Sequence, residues 1–205
     1  MEFIYFKIFL YIIIIFSAVF HEFAHGWMAN YLGDPTAKYA GRLTLNPLRH
    51  LDPMGTVIIP LFLLFFVGAF IGWAKPVPYN PYNLRDQRYG SSKVGAAGPA
   101  ANILIAIIFG LLLRFLPIEG FFYIAFSWIV YINIFLAFFN LIPIPPLDGS
   151  KLLIDLFPQS QSLRILEQSF IGIFLAIALA IMILPIISSV FYYVIVGSLF
   201  SGLIF

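Results

Sequence analysis

Residues 3–31 read FIYFKIFLYIIIIFSAVFHEFAHGWMANY, and this apolar run decides the fold. It is long enough to cross a bilayer as a helix, which takes about 20 residues. Its C-terminal half contains the motif His21-Glu22-Phe23-Ala24-His25. Two histidines four residues apart lie about 40° apart around a helix, the spacing that binds zinc with the glutamate as general base. Because ionisable side chains are costly inside a membrane helix, the motif predicts a functional metal site.

The composition indicates a membrane protein. Of the 205 residues, 62% are apolar and 10% are charged, whereas soluble domains average about 25% charged residues. We therefore expect an all-α polytopic membrane protein, with residues 1–205 forming one intramembrane domain. No cysteine is present, which excludes disulfides and thiolate ligands, and no segment suggests nucleic-acid binding. The first apolar run has no small-residue cleavage site before the motif, so we expect it to be retained as a helix.

The apolar runs predict about five transmembrane helices. These runs are 3–31, 94–116, 121–141, 170–184 and 186–205, the last two hinged at Pro185. Residues 56–73 form a further apolar run that is either a short span or a re-entrant or interfacial segment. Polar and apolar residues alternate over 42–45, which predicts a short membrane-associated β-strand. The prolines in 75–80 restrict that segment to an edge strand or to extended backbone.

The distribution of positive charge favours a re-entrant path for residues 56–73. Basic residues concentrate on the cytoplasmic side of membrane proteins, and here they flank this run on both sides. They are Lys38, Arg42, Arg49, Lys75, Arg85, Arg88 and Lys93. We therefore expect both ends of the run to be cytoplasmic, with the metal motif nearer that face.

Asp148 is the candidate third ligand, because a catalytic zinc needs three protein ligands and an open position. It lies in residues 140–149, NLIPIPPLDG, where the prolines preclude a regular helix. Broken backbone at membrane depth is tolerated only where it is buried in protein or lines a cavity. The alternative role of Asp148 is to cap a helix that begins near Ser150. Asp155 is the second candidate ligand.

Three separated motifs resemble the site-2 protease family of intramembrane zinc metalloproteases. They are HEFAH at 21–25, GPAAN at 98–102 and NLIPIPPLDG at 140–149. The order is that of the family, and the chain is most similar to the compact prokaryotic members without PDZ or CBS modules. The resemblance implies hydrolysis of peptide bonds in or near transmembrane segments, with one Zn²⁺ per chain, in a prokaryotic plasma membrane. Residues 56–73 exceed the short membrane-embedded strands that some relatives have in this place.

The resemblance also implies residue roles. By the family pattern His21, His25 and Asp148 bind zinc, and Glu22 activates the attacking water. The residues expected near the substrate or the oxyanion are Asn140, Asn102 and Gly98, and those expected to offer a strand edge to an unwound substrate are Arg42, Leu43 and Thr44. Close packing between helices is the competing role for the asparagines and the glycine.

The expected partners are transmembrane protein substrates and the lipid bilayer. Control would come through a first trimming cut in the substrate or through a regulatory membrane partner, and the oligomeric state stays open. Two other functions are also open: a membrane zinc hydrolase that acts on interfacial or lipidated peptides, and a noncatalytic zinc-binding protein that binds transmembrane helices. The buried, broken segment argues against the first. Glu22 argues against the second, because a structural zinc site needs no base.

Overall fold

The computed structural model describes residues 2–66, 72, 74–168 and 170–200, and these residues form a helical bundle. The helices are α1 (Glu2–Tyr31), α2 (Thr36–Tyr39), α3 (Ile59–Phe66), α4 (Gly90–Phe115), α5 (Gly120–Leu141), α6 (Ser150–Leu156), α7 (Gln161–Gln168) and α8 (Phe170–Val196). Short 3-10 helices occur at Pro47–Arg49 and Pro81–Asn83, and a π-helix at Pro53–Ile58 precedes α3. The described residues contain no β-strand.

Four of the described helices are long and apolar enough to cross a membrane, so the chain is a multi-pass membrane protein. The four spans are Tyr5–Tyr31, Gly90–Phe115, Gly120–Leu141 and Ile171–Val196. The prediction of about five spans is wrong, because the two last apolar runs form one helix with Pro185 inside it. One proline removes one backbone donor, a loss that neighbouring groups in a membrane bundle can offset. Residues 201–205 of the last predicted run lie outside the described residues.

Helix α4 is the centre of the bundle and contacts α1, α5 and α8. It forms an antiparallel hairpin with α5 through the short turn at residues 116–119. The core between α4, α5 and α8 is apolar and includes Ala106, Val130, Ile134 and Tyr192. The C-terminal half of α1, which carries the histidines, lies against the N-terminal half of α4. The ends of these two half-helices therefore meet at one end of the bundle.

The long connection between α1 and α4 leaves and returns at that same end. Gly33, with a φ of 108°, ends α1 in a backbone conformation that favours glycine. The next carbonyl back, that of Leu32, accepts a hydrogen bond of 2.8 Å from the backbone N–H of Arg85. Within the connection the backbone N–H of Lys75 donates to the carbonyl of His50 at 3.0 Å. The ends of the intervening apolar segment thus meet, which is the geometry that a re-entrant segment requires; residues 67–71 and 73 of it lie outside the described residues.

The predicted strand at Arg42, Leu43 and Thr44 does not form. Arg42 is buried, and its guanidinium donates to the carbonyls of Lys75 at 2.5 Å and Pro76 at 3.4 Å. A side chain thus makes the contacts to the neighbouring segment that a strand would make through its backbone. Prolines at 76 and 78 have no N–H to donate, and residues 75–80 form neither strand nor helix.

Candidate metal centre

Three ligand atoms converge between α1 and the segment that follows α5. The Nε2 atoms of His21 and His25 lie 2.9 Å apart, and each lies 3.0 Å from Oδ2 of Asp148. Both histidines are buried. Of the described histidines and acids, these three form the group that could hold a metal ion. His21 and Asp148 are 127 positions apart in the sequence, so it is the fold that brings them together.

Asn102 fixes the tautomer of His21. Its Nδ2 donates to the backbone carbonyl of Ser17 at 3.3 Å, which can only accept, so its Oδ1 must face Nδ1 of His21 as an acceptor. That contact is 2.6 Å. Nδ1 of His21 therefore carries the proton, and the lone pair of Nε2 points toward His25 and Asp148.

His25 has the same tautomer for a similar reason. Its Nδ1 lies 2.7 Å from the backbone carbonyl of Val94, which leaves Nε2 as an acceptor. Three acceptors, two imidazole nitrogens and one carboxylate oxygen, therefore face one another. A cation is what such a set binds, and bonding of the second ring nitrogen to a carbonyl is the usual arrangement of zinc-binding histidines.

The donor set fits zinc. Two neutral imidazoles and one carboxylate are the ligands of a common class of catalytic zinc site, which keeps a fourth position open. Zinc bonds of about 2.0–2.2 Å place tetrahedral ligands roughly 3.3 Å apart, so the three atoms need to separate by only a few tenths of an ångström. The residues therefore fit the metal without rearrangement of the helices.

Gly98 provides the space beside these ligands. A Cβ atom at this position would lie 2.5 Å from Nε2 of His25 and 2.6 Å from Nε2 of His21. Any side chain here would occupy the volume next to the two nitrogen lone pairs. Gly98 is thus placed against the metal ligands, whereas the sequence predicted a role for it near the substrate or the oxyanion.

A closed loop after α5 positions Asp148. The backbone N–H of Gly149 donates to the carbonyl of Asn140 at 2.7 Å, which folds residues 140–149 back onto the end of α5. The other carboxylate oxygen of Asp148, Oδ1, accepts a hydrogen bond of 2.8 Å from Nζ of Lys151. Lys151 thereby directs Oδ2 toward the histidines.

Glu22 lies next to the ligands on α1 and has one fixed oxygen. Its Oε2 accepts a hydrogen bond of 2.7 Å from the backbone N–H of Val77. The carboxylate is half-buried. A proton acceptor on the residue next to His21 is therefore held by residues 75–80, which cross this end of the bundle.

Other predicted residues have different contacts. The side-chain amide of Asn140 donates to the carbonyl of Leu136 at 2.9 Å, on its own helix. Asp155 accepts from the backbone N–H of Ser92 at 2.8 Å and so caps the start of α4, which explains why this second candidate is absent from the ligand group. The remaining histidine, His50, contacts the carbonyl of Thr44 at 2.8 Å.

The oxyanion role expected of Asn102 does not fit its contacts. The residue is fully buried, and its amide binds His21, Ser17 and Asn133. Asn133 in turn donates to Oγ of Ser17 at 2.9 Å, so the network joins α1, α4 and α5.

Sequence reasoning missed Ser17, Lys151 and the N–H of Val77. A signal existed for Ser17, one helical turn before His21 on the same face, and for Lys151, three residues after Asp148. No residue type identifies a backbone donor such as that of Val77.

Comparison with known proteins identifies the family. The family model described as Peptidase family M50 matches residues 118–185. The protein named "Putative zinc metalloprotease YwhC" from Bacillus subtilis is 40% identical over 159 residues, which cover 73% of this chain and 69% of that protein. The chain belongs to peptidase family M50. The resemblance to site-2 proteases that the three motifs indicated is thereby confirmed.

Other relatives of this M50 chain carry similar names. "Putative zinc metalloprotease Rip2" from Mycolicibacterium smegmatis is 33% identical over 135 residues, 65% of the M50 chain and 51% of the relative. "Putative zinc metalloprotease MJ0611" from Methanocaldococcus jannaschii is 31% identical over 99 residues, 48% and 50% of the two chains. The M50 chain thus spans about half the length of these two relatives. No solved structure matches it significantly.

Proposed function

We propose that this M50 chain is an intramembrane zinc endopeptidase that hydrolyses peptide bonds in or near transmembrane segments of membrane proteins. The observation that carries the proposal is the convergence of His21, His25 and Asp148 beside Glu22, between helices of membrane-spanning length. A structural zinc site would have no use for the adjacent carboxylate. The proposal thus combines a metal-binding donor set with a positioned proton acceptor.

The roles follow from the contacts. His21 and His25 would bind zinc through Nε2, and Asp148 through Oδ2, with Asn102 and the Val94 carbonyl holding the imidazole rings. The bound metal would supply a Lewis acid that polarises the scissile carbonyl and acidifies the attacking water. Glu22 takes the proton from that water and returns it to the leaving amine. The new C–O bond forms first and gives a tetrahedral oxyanion; the C–N bond then breaks as the amine accepts the proton, and water is the only reactant consumed.

Asn140 remains our candidate for contact with the substrate. It is half-buried at the end of α5, where the loop to Asp148 begins. An amide there would donate to the substrate backbone, and removal of one oxyanion donor typically costs about 2.7–4 kcal/mol of transition-state stabilisation. The competing role is the contact that it already makes to the Leu136 carbonyl.

We further propose a cell-membrane location with the metal centre nearer the cytoplasmic face. His25 lies six residues before the end of α1, about 9 Å along the helix axis. Exposed basic residues surround that end of the bundle, as the positive-inside tendency would require. They include Lys38, Arg49, Lys75, Arg85 and Arg88. The proposed substrates are membrane proteins within the same bilayer, with regulation by substrate trimming or a partner membrane protein.

The test compares cleavage and zinc content in proteoliposomes. Glu22→Gln should keep zinc, measured by metal analysis, and should lose cleavage of a model transmembrane substrate by about 10²- to 10⁴-fold, the usual contribution of a general base. Glu119→Gln, an exposed acid at the opposite end of α5, is the matched control and should retain activity. Cleavage by Glu22→Gln at the rate of the control would disprove the protease assignment.

A further inference from the structure

Residues 75–80, here called the strap, cross the metal end of the bundle without regular secondary structure. The strap reads Lys-Pro-Val-Pro-Tyr-Asn. Val77 is buried, whereas Pro76 and Pro78 on either side are exposed. Prolines have no N–H, so Val77 supplies the only backbone donor within residues 76–78. That donor contacts Oε2 of Glu22.

Both ends of the strap are anchored away from the metal ligands. At one end Lys75 donates to the His50 carbonyl and accepts from the buried Arg42. At the other end the backbone N–H of Asn80 donates to Oδ2 of Asp34 at 2.6 Å. Asp34 is fully buried. Arg42, which donates, and Asp34, which accepts, thus fix the strap by hydrogen bonds on each side of Val77.

The side chain of Val77 also packs against α1, close to Glu22. Gly26 lies one turn after Glu22 on α1, and a Cβ added to it would lie 3.0 Å from Cγ1 of Val77. The missing side chain at Gly26 therefore makes the notch into which Val77 packs. Two residues on, the ring of Tyr79 lies 5.4 Å from Nζ of Lys151, the residue that binds Asp148.

We propose that the strap is a positioning element for the general base, and that the N–H of Val77 sets the orientation of the Glu22 carboxylate. A glutamate has several rotatable bonds, and proton transfer requires the acceptor within about 2.6–3.2 Å of the water. With Oε2 bound to the strap, Oε1 is the oxygen that accepts the proton. This inference rests on the proposed peptidase function and adds a backbone group to its machinery.

Removal of the N–H by Val77→Pro tests the proposal. Val77 precedes Pro78, which favours extended backbone that a proline can also adopt. Val77→Ala is the comparison because it loses the packing against Gly26 but keeps the N–H. We expect Val77→Pro to lower kcat by about 10- to 100-fold more than Val77→Ala, the scale of a misplaced catalytic group. KM and zinc content should stay the same in both, because neither substrate binding nor the ligands change.

A second variant keeps the test decisive. Arg42→Met releases the strap at Lys75 and Pro76 without altering Val77, and it should give the same pattern of lower kcat with unchanged KM and zinc. If Val77→Pro does not fold, as judged by thermal unfolding, Arg42→Met decides. The proposal would be overturned if a folded, zinc-containing Val77→Pro variant had a kcat equal to or above that of Val77→Ala. It would also be overturned if a folded, zinc-containing Arg42→Met variant had a kcat equal to or above that of the wild type.

Wild type and Glu22→Gln are measured in the same assay. Absence of cleavage by the wild type would count against the proposed function itself. Cleavage by the wild type that depends on Glu22, without loss in the strap variants, would count against the role of the strap alone.

Discussion

At the scale of single residues, the metal centre depends on what is missing at Gly98 as much as on the ligands. The glycine faces both Nε2 atoms, and the absence of a side chain leaves room beside their lone pairs. The group of His21, His25 and Asp148 could be predicted from sequence because their residue types bind metals, and the role of Glu22 as the base stays a prediction. Gly98 was predicted near the site, but its function there depends on a distance that spacing alone does not give.

Gly98→Ala should therefore weaken zinc binding and lower the zinc content of the purified protein. Its methyl group would lie within 2.6 Å of both histidine nitrogens, so zinc affinity should fall by at least the roughly 10–100-fold seen when a supporting residue is lost. Metal analysis of purified protein measures the effect, with Ala100→Val, which enlarges an exposed position of α4, as the control. Full zinc occupancy in Gly98→Ala would contradict this account of the site.

Asn102→Leu should weaken zinc binding without removing a ligand. The leucine keeps the approximate volume but no longer holds the Nδ1 proton of His21, and loss of such a support typically costs about 10–100-fold in metal affinity. Competition with a chromogenic chelator measures the dissociation constant. Ser127→Ala, which removes another buried polar contact on α5 to Tyr192, should leave that constant unchanged; an equal effect of both variants would indicate general destabilisation instead.

At the scale of elements, the number of prolines decides whether a predicted break in a helix is correct. Three prolines within residues 143–146 break the chain after α5, as expected, and create the loop that carries Asp148. One proline at 185 leaves α8 continuous. The sequence shows the lost donor in both cases, but only the surroundings decide whether it is replaced. The strand predicted at 42–45 does not form, because the alternation of polar and apolar residues does not reveal that the Arg42 side chain is buried. Here too the surroundings decide the outcome.

The strap should respond to pH through Asp34. Burial raises the pKa of Asp34, but hydrogen bonds from Thr36, Asn80 and Asn83 outweigh it and lower the pKa below its ordinary value. A lowered pKa means that the stabilisation is present above about pH 4, the pKa in the unfolded chain, and is lost as the pH falls through the folded value. Asp34 therefore stabilises the anchored strap at neutral pH.

Asp34→Asn should lower stability at pH 7 by about 1.5–3 kcal/mol, the usual value for hydrogen bonds to a charged group. The difference from wild type should shrink at pH 3. Thermal unfolding in detergent at both pH values measures it, with Glu119→Gln as the control. A difference that is the same at both pH values would show that the charge of Asp34 is not what anchors the strap.

At the scale of the whole molecule, the metal centre and the topology constrain each other. Asp148 can meet the α1 histidines only if the chain between α1 and α4 returns to the side from which it left. The contacts of Leu32 with Arg85 and of His50 with Lys75 fulfil that condition. The charge pattern predicted this return from sequence. The exact course of residues 56–73 could not be predicted, because proline and glycine permit both a kinked span and a turn.

Cysteine labelling tests the topology directly, because the natural chain has no cysteine to give background. Single cysteines at the exposed positions Lys38 and Arg88 should react with an impermeant reagent from the same side of the membrane. A cysteine at Glu119, in the turn between α4 and α5, should react from the other side. Labelling of the first two positions from opposite sides would contradict the bundle as described.

The buried network of Ser17, Asn102 and Asn133 has a consequence for the order in which the active enzyme arises. Its members belong to α1, α4 and α5, and Asp148 follows the last of these helices. During synthesis the two histidines enter the bilayer first, when neither their supports nor the third ligand yet exist. A ribosome-bound chain thus carries an incomplete catalyst until residue 148 has been made and α5 has been inserted.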